Sequence, residues 1–201
     1  MNVGAHLCYQ TRRMTPRDIK AVHQLDCEVF KDPWPESAYI EEVYFNPNAF
    51  YFVLESNTGT DSQGRLLPWN WLQRPKIVGF VGGRLKLPRG HISTLAVSPD
   101  LRGLHLGEYL LVTELEALLE ASAQFVTLEV RVSNVAAQRL YQKYEFTIQD
   151  RQRRYYANGE DAYLMRAETH TTAYRRWVGR QRRALEHSFA WLETVTDEEV
   201  V

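Results

Sequence analysis

The fold of this chain is decided by the stretch Leu95-Ala-Val-Ser-Pro-Asp-Leu-Arg-Gly-Leu-His-Leu-Gly-Glu108. An apolar, β-branched run ends at Val97, a loop with two glycines follows, and a helical pattern then runs from Tyr109 to Glu120. A strand, a glycine-bearing loop and a helix in this order bring free backbone N–H groups together at the helix N-terminus, which attracts phosphate. Arg102 adds a positive charge at the start of the loop. The stretch therefore predicts a pyrophosphate-binding loop.

The composition is that of an ordinary soluble globular protein. The chain has 201 residues, of which 44% are apolar and 24% charged, so one domain with a sizeable core is expected. A net charge of −1 gives no general electrostatic reason to bind nucleic acid or an anionic membrane. No segment approaches the ~20 apolar residues of a membrane span, and the first residues do not resemble a signal peptide. Two cysteines make neither a disulfide framework nor a metal site. We expect a cytoplasmic protein.

Hydrophobic periodicity predicts strands and helices in the order β–α–α–β–β–β–α–β–α–β–β. The predicted strands are Tyr9–Met14, Phe50–Glu55, Lys76–Leu87, His91–Val97, Phe125–Val132, Phe146–Tyr156 and Asp161–Glu168. The predicted helices are Thr15–Phe30, Glu36–Phe45, Gly107–Ala121 and Val135–Tyr144. Ala157-Asn158-Gly159 is typical of a hairpin turn and joins the last two strands.

Two segments stand apart from this pattern. Residues 57–75 are rich in Gly, Asn, Gln, Ser and Pro and include Trp69 and Trp71. This segment is predicted to be an insertion that either covers a groove or, as we favour, has no part in the chemistry. From Thr172 to Thr194 the pattern is that of one amphipathic helix. We therefore expect a domain over residues 1–167, with the 57–75 insertion, and a helical extension over residues 168–201.

The polar face of the C-terminal helix is rich in arginine. Its members are Arg175, Arg176, Arg180, Arg182 and Arg183. This face could contact RNA, a ribosome or an acidic partner. It could equally be the solvated side of a helix that packs on the body of the protein or on a second copy of the chain in a homodimer. The near-zero net charge favours the second interpretation.

Three motifs carry a resemblance to a known family. They are Leu95–Gly107, Leu128–Asn134 and Leu140–Phe146, and together they resemble the GNAT superfamily of acyl-CoA-dependent N-acyltransferases. With the Pro-Trp loop Asp32–Pro35, the chain is similar to the RimI-type N-terminal acetyltransferases, which acetylate the terminal amine of a ribosomal protein. The resemblance covers residues 10–167. It implies a mixed α/β fold with a mostly antiparallel sheet, a splayed parallel strand pair and flanking helices.

The resemblance implies that acetyl-CoA is the cofactor. Backbone groups of the strand end Leu95, Ala96 and Val97 are expected to bind the pantetheine arm, with a main-chain N–H for the oxyanion. The diphosphate is expected to bind at the loop residues Arg102, Gly103, Leu104, His105, Leu106, Gly107 and Glu108. Asn134 either binds the pantetheine arm or simply caps its own helix.

Two positions depart from the family pattern, because His105 and Glu145 stand where glycine is usual. The backbone N–H of His105 can still bind phosphate if its φ angle is negative, although the imidazole could crowd the diphosphate or donate to it. Glu145 is expected just after a helix, where a left-handed conformation would cost about 1 kcal/mol relative to glycine.

The catalytic candidates follow from what amide formation requires. Glu129 is the candidate general base, since burial beside a strand opening would raise the pKa of its carboxyl toward neutrality. The alternative is that Glu129 is merely an exposed strand residue. Tyr141 is the candidate acid that protonates the departing sulfur. The alternative is an interior helix aromatic, in which case Tyr144 would serve equally well.

The expected acceptor is the N-terminal α-amino group of a protein or peptide, which includes ribosomal proteins. The site that binds it is expected to have Trp34, Tyr39 and Tyr155 as wall residues, all of which could instead be core or surface residues. A small-molecule or lysine acetyltransferase on the same scaffold is a second hypothesis, since fold does not determine substrate. An idle acyl-CoA-binding module is a third, and the presence of Glu129, Asn134 and Tyr141 argues against it. No metal, nucleic acid or membrane is expected to take part.

Overall fold

The computed structural model describes residues 9–56, 59–60, 66–67 and 75–198. Its strands are β1 (Tyr9–Arg13), β2 (Ala49–Ser56), β3 (Gly59–Thr60), β4 (Leu66–Leu67), β5 (Lys76–Lys86), β6 (Arg89–Val97), β7 (Phe125–Arg131), β8 (Thr147–Gln152) and β9 (Ala162–Glu168). Its α-helices are α1 (Ile19–Val29), α2 (Glu36–Ile40), α3 (Leu106–Glu120), α4 (Val135–Lys143) and α5 (Thr172–Glu198). A π-helical turn, Glu41–Phe45, extends α2 to the predicted end. Trp69 and Trp71 of the expected insertion lie outside the described residues.

One mixed sheet organises the molecule, in the strand order β1-β2-β5-β6-β7-β9-β8. β6 and β7 run parallel to each other, and every other neighbouring pair in this sheet is antiparallel. The parallel pair is joined through α3, as the length of a parallel crossover requires. The predicted mixed α/β fold is therefore confirmed.

The two parallel strands separate partway along their length. Their pairing runs from Arg89 opposite Phe125 to Ile92 opposite Leu128 and then stops. Both strands continue, to Val97 and Arg131 respectively. The ends of β6 and β7 therefore diverge, which is the splay that the resemblance implied.

Helices cover both faces of the sheet. On one face α3 packs against β2, β5 and β6, and α5 packs outside α3. On the other face α1 packs against β5, β6 and α2. Each face encloses its own group of buried apolar side chains, which provide most of the stabilisation through burial. In the part of the chain that the structure describes, no helix is long and apolar enough to cross a bilayer.

The predicted closing hairpin is wrong in its extent. β8 ends at Gln152 rather than Tyr156, and residues 153–161 form a loop. Arg154 has a φ angle of 53°, which breaks the extended backbone. The Asp161 carboxylate holds this break by accepting hydrogen bonds from the Arg154 N–H at 2.8 Å and the Arg151 Nε at 2.8 Å. Tyr155 and Tyr156 consequently lie on a loop and do not alternate across a strand.

The C-terminal helix packs on the body of its own chain. Tyr174, Val178 and Phe189 are buried there, and the Tyr174 hydroxyl donates to the Tyr144 carbonyl at 2.9 Å. Arg182 does not belong to the solvated face to which the sequence pattern assigned it. Its guanidinium donates inward to Thr113 Oγ1 at 2.8 Å and along the helix to Glu186 at 2.7 Å, because it fills a polar gap between α3 and α5.

Candidate active site

Glu129 lies on β7 at the point where β6 and β7 separate. Alternation along β7 directs Val126, Leu128 and Val130 into the core beneath α3, and Thr127 and Glu129 to the opposite face. The Glu129 side chain is 17% exposed. It is therefore a partly buried carboxylate at the opening of the splay and not an exposed strand residue.

His91 of β6 is the neighbour of Glu129 across the parallel pair. Its Nε2 lies 3.4 Å from Glu129 Oε2, and its Nδ1 lies 3.0 Å from Thr127 Oγ1. The contact with Thr127 is a hydrogen bond, in which Nδ1 donates or accepts according to the tautomer of the imidazole. Sequence reasoning missed His91, although its position on the predicted strand was a usable signal.

Burial moves the pKa values of these two groups in opposite directions. Loss of hydration raises the pKa of Glu129, against the opposing effect of Arg89 and Arg84. Burial, helped by the same two arginines, lowers the pKa of His91 to about 4. His91 is therefore neutral at pH 7, and its 3.4 Å approach to Glu129 is a close contact rather than an ion pair. The site presents an ionisable base of raised pKa with a neutral imidazole beside it.

One candidate tyrosine faces this pair, and the other is buried in α4. The phenol of Tyr155 faces the Glu129 carboxylate and is 47% exposed on the 153–161 loop. Tyr141 of α4 is buried, with its ring centroid 5.9 Å from that of Phe146. Burial and the nearby Tyr156 phenol raise the pKa of Tyr141 to about 12. Tyr141 therefore keeps its proton at neutral pH, as a proton donor must.

Tyr144 is occupied elsewhere. Its hydroxyl donates to Glu108 Oε1 at 2.7 Å, and Lys143 Nζ lies 2.5 Å from the same oxygen. Burial acts to raise the pKa of Glu108, but the hydrogen bonds from Lys143, Tyr144 and His105 prevail and lower it. These contacts tie α3 to the end of α4. Of the two candidate tyrosines, Tyr144 is therefore the one already engaged, and Tyr141 stays the predicted proton donor.

The loop for which phosphate binding is predicted leads into the N-terminus of α3. No side chain caps the helix, so the N–H groups of its first turn are available at an exposed end. Gly103, Leu104 and His105 are all exposed in the preceding loop, as is Arg102. The Glu108 carboxylate points into the protein and is neutralised there, so only its N–H can serve an anion. Backbone donors and one arginine thus suit a diphosphate.

His105 does not have the negative φ angle that we expected phosphate binding by its N–H to require. Its φ is 59° and its ψ is 11°, in the left-handed region, so a negative φ is ruled out. Glycine is usual here because it adopts this conformation at no steric cost, whereas histidine loses about 1 kcal/mol. Glu145, after α4, has a φ of 62° and carries the same strain. The His105 side chain is 69% exposed and its Nδ1 lies 3.1 Å from Glu108 Oε2.

The strand segment Leu95–Val97 offers a free edge. It pairs with β5 on one side, Val97 opposite Gly79 and Leu95 opposite Val81. Its other edge faces the diverging end of β7, where the parallel pairing has ended. Such an edge can hydrogen-bond an extended ligand as a neighbouring strand would. Asn134, in contrast, acts as a helix cap, with Oδ1 accepting from the Ala137 N–H at 3.1 Å.

Arg131 connects the two loops that flank Glu129. Its guanidinium donates to Asp32 Oδ2 at 3.0 Å on one side and to Glu160 Oε2 at 3.0 Å on the other. It also lies over the Tyr156 ring, 3.7 Å from the centroid. The loops 32–35 and 153–161 are therefore held at a defined spacing. Sequence reasoning missed this residue, because the partners are far apart in the chain.

The predicted substrate walls divide into two groups. Trp34 is half-buried in the 32–35 loop, and its backbone N–H donates to the carboxylate of the buried Asp26 at 2.7 Å. Tyr39 is fully buried and packs against Trp34, Tyr51 and Phe80. Tyr39 therefore supports the loop from the core and presents no surface of its own. Trp34 and Tyr155 lie on the two loops that Arg131 connects.

Comparison with protein families identifies the scaffold. The model of the Acetyltransferase (GNAT) family matches residues 19–146. An N-alpha-acetyltransferase of Sulfolobus acidocaldarius is 32% identical over 164 residues, which cover 79% of this chain and 92% of that protein. The matched region includes β6, α3, β7 and α4, the elements that build the site.

Solved structures show the same fold. The ribosomal-protein-S18-alanine N-acetyltransferase from Escherichia coli superposes with a TM-score of 0.65 at 24% identity, over 80% of this chain and 93% of that one. NAA60 of Arabidopsis thaliana, in complex with acetyl-CoA, gives a TM-score of 0.68 at 17% identity, over 81% and 99% of the two chains.

Proposed function

Because the chain belongs to the GNAT family of acetyltransferases and uses acetyl-CoA, we propose that its acceptor is the N-terminal α-amino group of a protein or peptide. The observation that carries the proposal is the His91–Glu129 pair, beside which Arg131 joins two exposed loops at a defined spacing. We propose that a chain terminus reaches Glu129 between these loops. The S. acidocaldarius relative is called an N-alpha-acetyltransferase, and this supports the same class of acceptor.

The base strength of the site suits an α-amine. Such an amine has a pKa near 8, against about 10.4 for lysine, so a carboxylate of raised pKa can remove its proton. Glu129 takes this proton, and His91 lies beside it with Nε2 3.4 Å from the carboxylate. His91 is thus a positioning residue, because its lowered pKa makes the neutral imidazole a weaker base than the Glu129 carboxylate, whose pKa is raised.

Bound acetyl-CoA would supply the acetyl group as a thioester whose carbonyl carbon forms the new bond to nitrogen. The edge Leu95–Val97 would bind the pantetheine arm and the carbonyl oxygen through those of its N–H groups that point away from β5. Tyr141 gives its proton to the departing sulfur. Its high pKa makes a shared hydrogen bond part of this role, since a phenol is a weaker acid than a thiol.

The cofactor's diphosphate would bind at the N-terminus of α3. We assign this role to the side chain of Arg102 and to the backbone of Gly103 through Glu108, in which His105 keeps its N–H in the left-handed conformation that glycine adopts without strain. Asn134 contributes the free Nδ2 of its amide, since its Oδ1 is already used in the helix cap. Trp34 and Tyr155 form the acceptor walls, with Tyr39 behind Trp34. A ribosomal protein is one acceptor of this class, as for the E. coli structural neighbour.

The test is an acetylation assay with purified protein, acetyl-CoA and peptides that differ in their first residue. Each peptide contains one lysine, and mass spectrometry of fragments locates the acetyl group. We expect acetylation of the α-amine, and no product from peptides whose N-terminus is formylated. Transfer to lysine alone, or faster transfer to small amines than to every peptide, would overturn the proposal. Acetyl-CoA that binds without any turnover would instead indicate an idle module.

A further inference from the structure

A cluster of basic residues lies beside the catalytic pair. Arg84 and Lys86 of β5 are paired with His91 and Arg89 of β6, respectively. Directly opposed residues in antiparallel strands project from the same face of the sheet. Together Arg84, Lys86, Arg89 and His91 line a depression of about 300 Å³. Because His91 contacts Glu129, this depression opens next to the proposed base.

Among the described residues, positive charge exceeds negative charge in this cluster, with Glu129 as a carboxylate on which Arg84 and Arg89 act at a distance. Arg84, Lys86 and Arg89 are exposed, and none of the three forms an ion pair with another residue in the described ranges. Like charges opposite each other across a strand pair destabilise the sheet, as with Lys86 and Arg89. Three cations at one hairpin therefore leave a concentrated positive field at the opening.

The cofactor cannot be the partner of this cluster. The phosphate loop follows the C-terminal end of β6, whereas Arg89 begins that strand. At about 3.3 Å per residue, the separation along β6 from Arg89 to Val97 is roughly 26 Å. His91 and Glu129 lie between the two ends, so a cofactor thiol that reaches them comes from the phosphate side. The basic depression lies on the other side of this pair, where the rest of an acceptor peptide can extend away from Glu129.

We propose that Arg84, Lys86 and Arg89 select acceptors with carboxylate side chains in the residues directly after the acetylated one. The inference rests on the proposed function and specifies its substrate class. An extended peptide advances about 3.3 Å per residue, so a chain that starts at Glu129 brings its second to fourth residues over the depression. Carboxylates there receive hydrogen bonds from guanidinium groups, which favour this geometry.

The experiment compares peptides that begin Ala-Glu-Glu and Ala-Gln-Gln and are otherwise identical. Glutamine matches glutamate in shape and removes the charge. For the unmodified enzyme we expect kcat/KM for the acidic peptide to be about five- to tenfold higher, the sum of a few exposed charge contacts. The ratio decreases in high salt, because salt screens such contacts. In the double variant Arg84→Gln/Arg89→Gln the ratio falls to about one.

The control variant is Arg176→Gln. Arg176 is an exposed arginine on α5, beyond the opposite face of the sheet, so the same loss of charge there keeps the ratio at its original value. A ratio of one in the unmodified enzyme, or an undiminished ratio in the double variant, overturns the inference. If the double variant keeps the ratio and its pH profile shifts equally for both peptides, the two arginines act only on the pKa of His91.

Peptide affinity separates this inference from the proposed function. Fluorescence anisotropy of the same labelled peptides, measured with CoA-loaded protein, requires no turnover. Tighter binding of the acidic peptide supports the inference even where acetylation of the α-amine fails. Acetylation of all peptides at equal rates and equal affinity leaves the proposed function intact and rejects the acidic specificity.

Discussion

The two ends of β6 offer different kinds of group to the cofactor and the acceptor that we propose for them. At its C-terminal end the strand edge Leu95–Val97 and the uncapped first turn of α3 offer backbone N–H groups. At its N-terminal end the chemistry belongs to side chains, His91 against Glu129 and Arg84 beside Arg89. The cofactor end is thus a property of the backbone path, and the acceptor end is a property of side chains from separate strands.

This difference decides how each end responds to substitution. A site made of backbone N–H groups tolerates many side chains, provided that the backbone keeps its φ angles. His105 can therefore stand where glycine is usual. A site made of side chains changes with each one of them. Substitutions at the acceptor end should therefore have large and specific effects on turnover, whereas those at the cofactor end should mostly change stability.

The largest expected effect is that of Glu129→Gln. Loss of the general base should lower kcat by more than about tenfold, within the range that general bases contribute, while the affinity for acetyl-CoA changes little. Steady-state kinetics and calorimetry of cofactor binding measure the two quantities. Glu28→Gln, at an exposed position on α1, is the matched control. Unaltered turnover would exclude Glu129 as the base.

Arg131→Met tests whether the acceptor end depends on loop spacing. Methionine keeps an unbranched apolar stem and loses the guanidinium, with its bonds to Asp32 and Glu160 and its contact with Tyr156. We expect KM for the peptide to rise about fivefold, because several partly exposed contacts are lost, with little change in KM for acetyl-CoA. Arg151→Met, which breaks the pair with Asp161 alone, should have the smaller effect. An equal rise in both KM values would indicate general loosening of the fold.

The buried His91 predicts a pH dependence of stability. Its folded pKa of about 4 lies below the ordinary value of 6.5, so the unfolded chain binds more protons between these values. Stability from this residue is present above pH 6.5 and is lost as the pH falls toward 4. Denaturant unfolding across this range should show that the free energy of unfolding falls less in His91→Asn than in the unmodified protein, by about 1 kcal/mol or more. Parallel profiles for the two proteins would contradict this.

The smallest effect belongs to the cofactor end. His105→Gly should stabilise the protein by about 1 kcal/mol, since glycine relieves the positive φ, and acetyl-CoA affinity should stay the same or increase. Glu145→Gly, at a φ of 62°, gives a similar gain away from the phosphate loop. A large loss of affinity in His105→Gly alone would mean that the imidazole itself holds phosphate.

Much of the fold was predictable because it is local in the sequence. Strand and helix periodicity located every major element, and the loop before α3 was read from its glycines. The extent of the final hairpin was not predictable, since β8 ends early where the Asp161 side chain binds Arg151 and Arg154 across the turn. Arg182 was placed on the wrong face of α5, because a polar gap beside Thr113 is invisible in a helical pattern.

The sequence by itself determined the family, the order of elements, the cofactor class and Glu129 as the candidate base. These depend on short-range patterns and on motifs at fixed spacing. Only the tertiary structure decided that His91 faces Glu129, that Tyr144 is engaged by Glu108, and that Arg131 links two loops. The reason is strand register: a shift by one residue reverses every side chain, so which residues meet across a sheet is known only once the strands are paired.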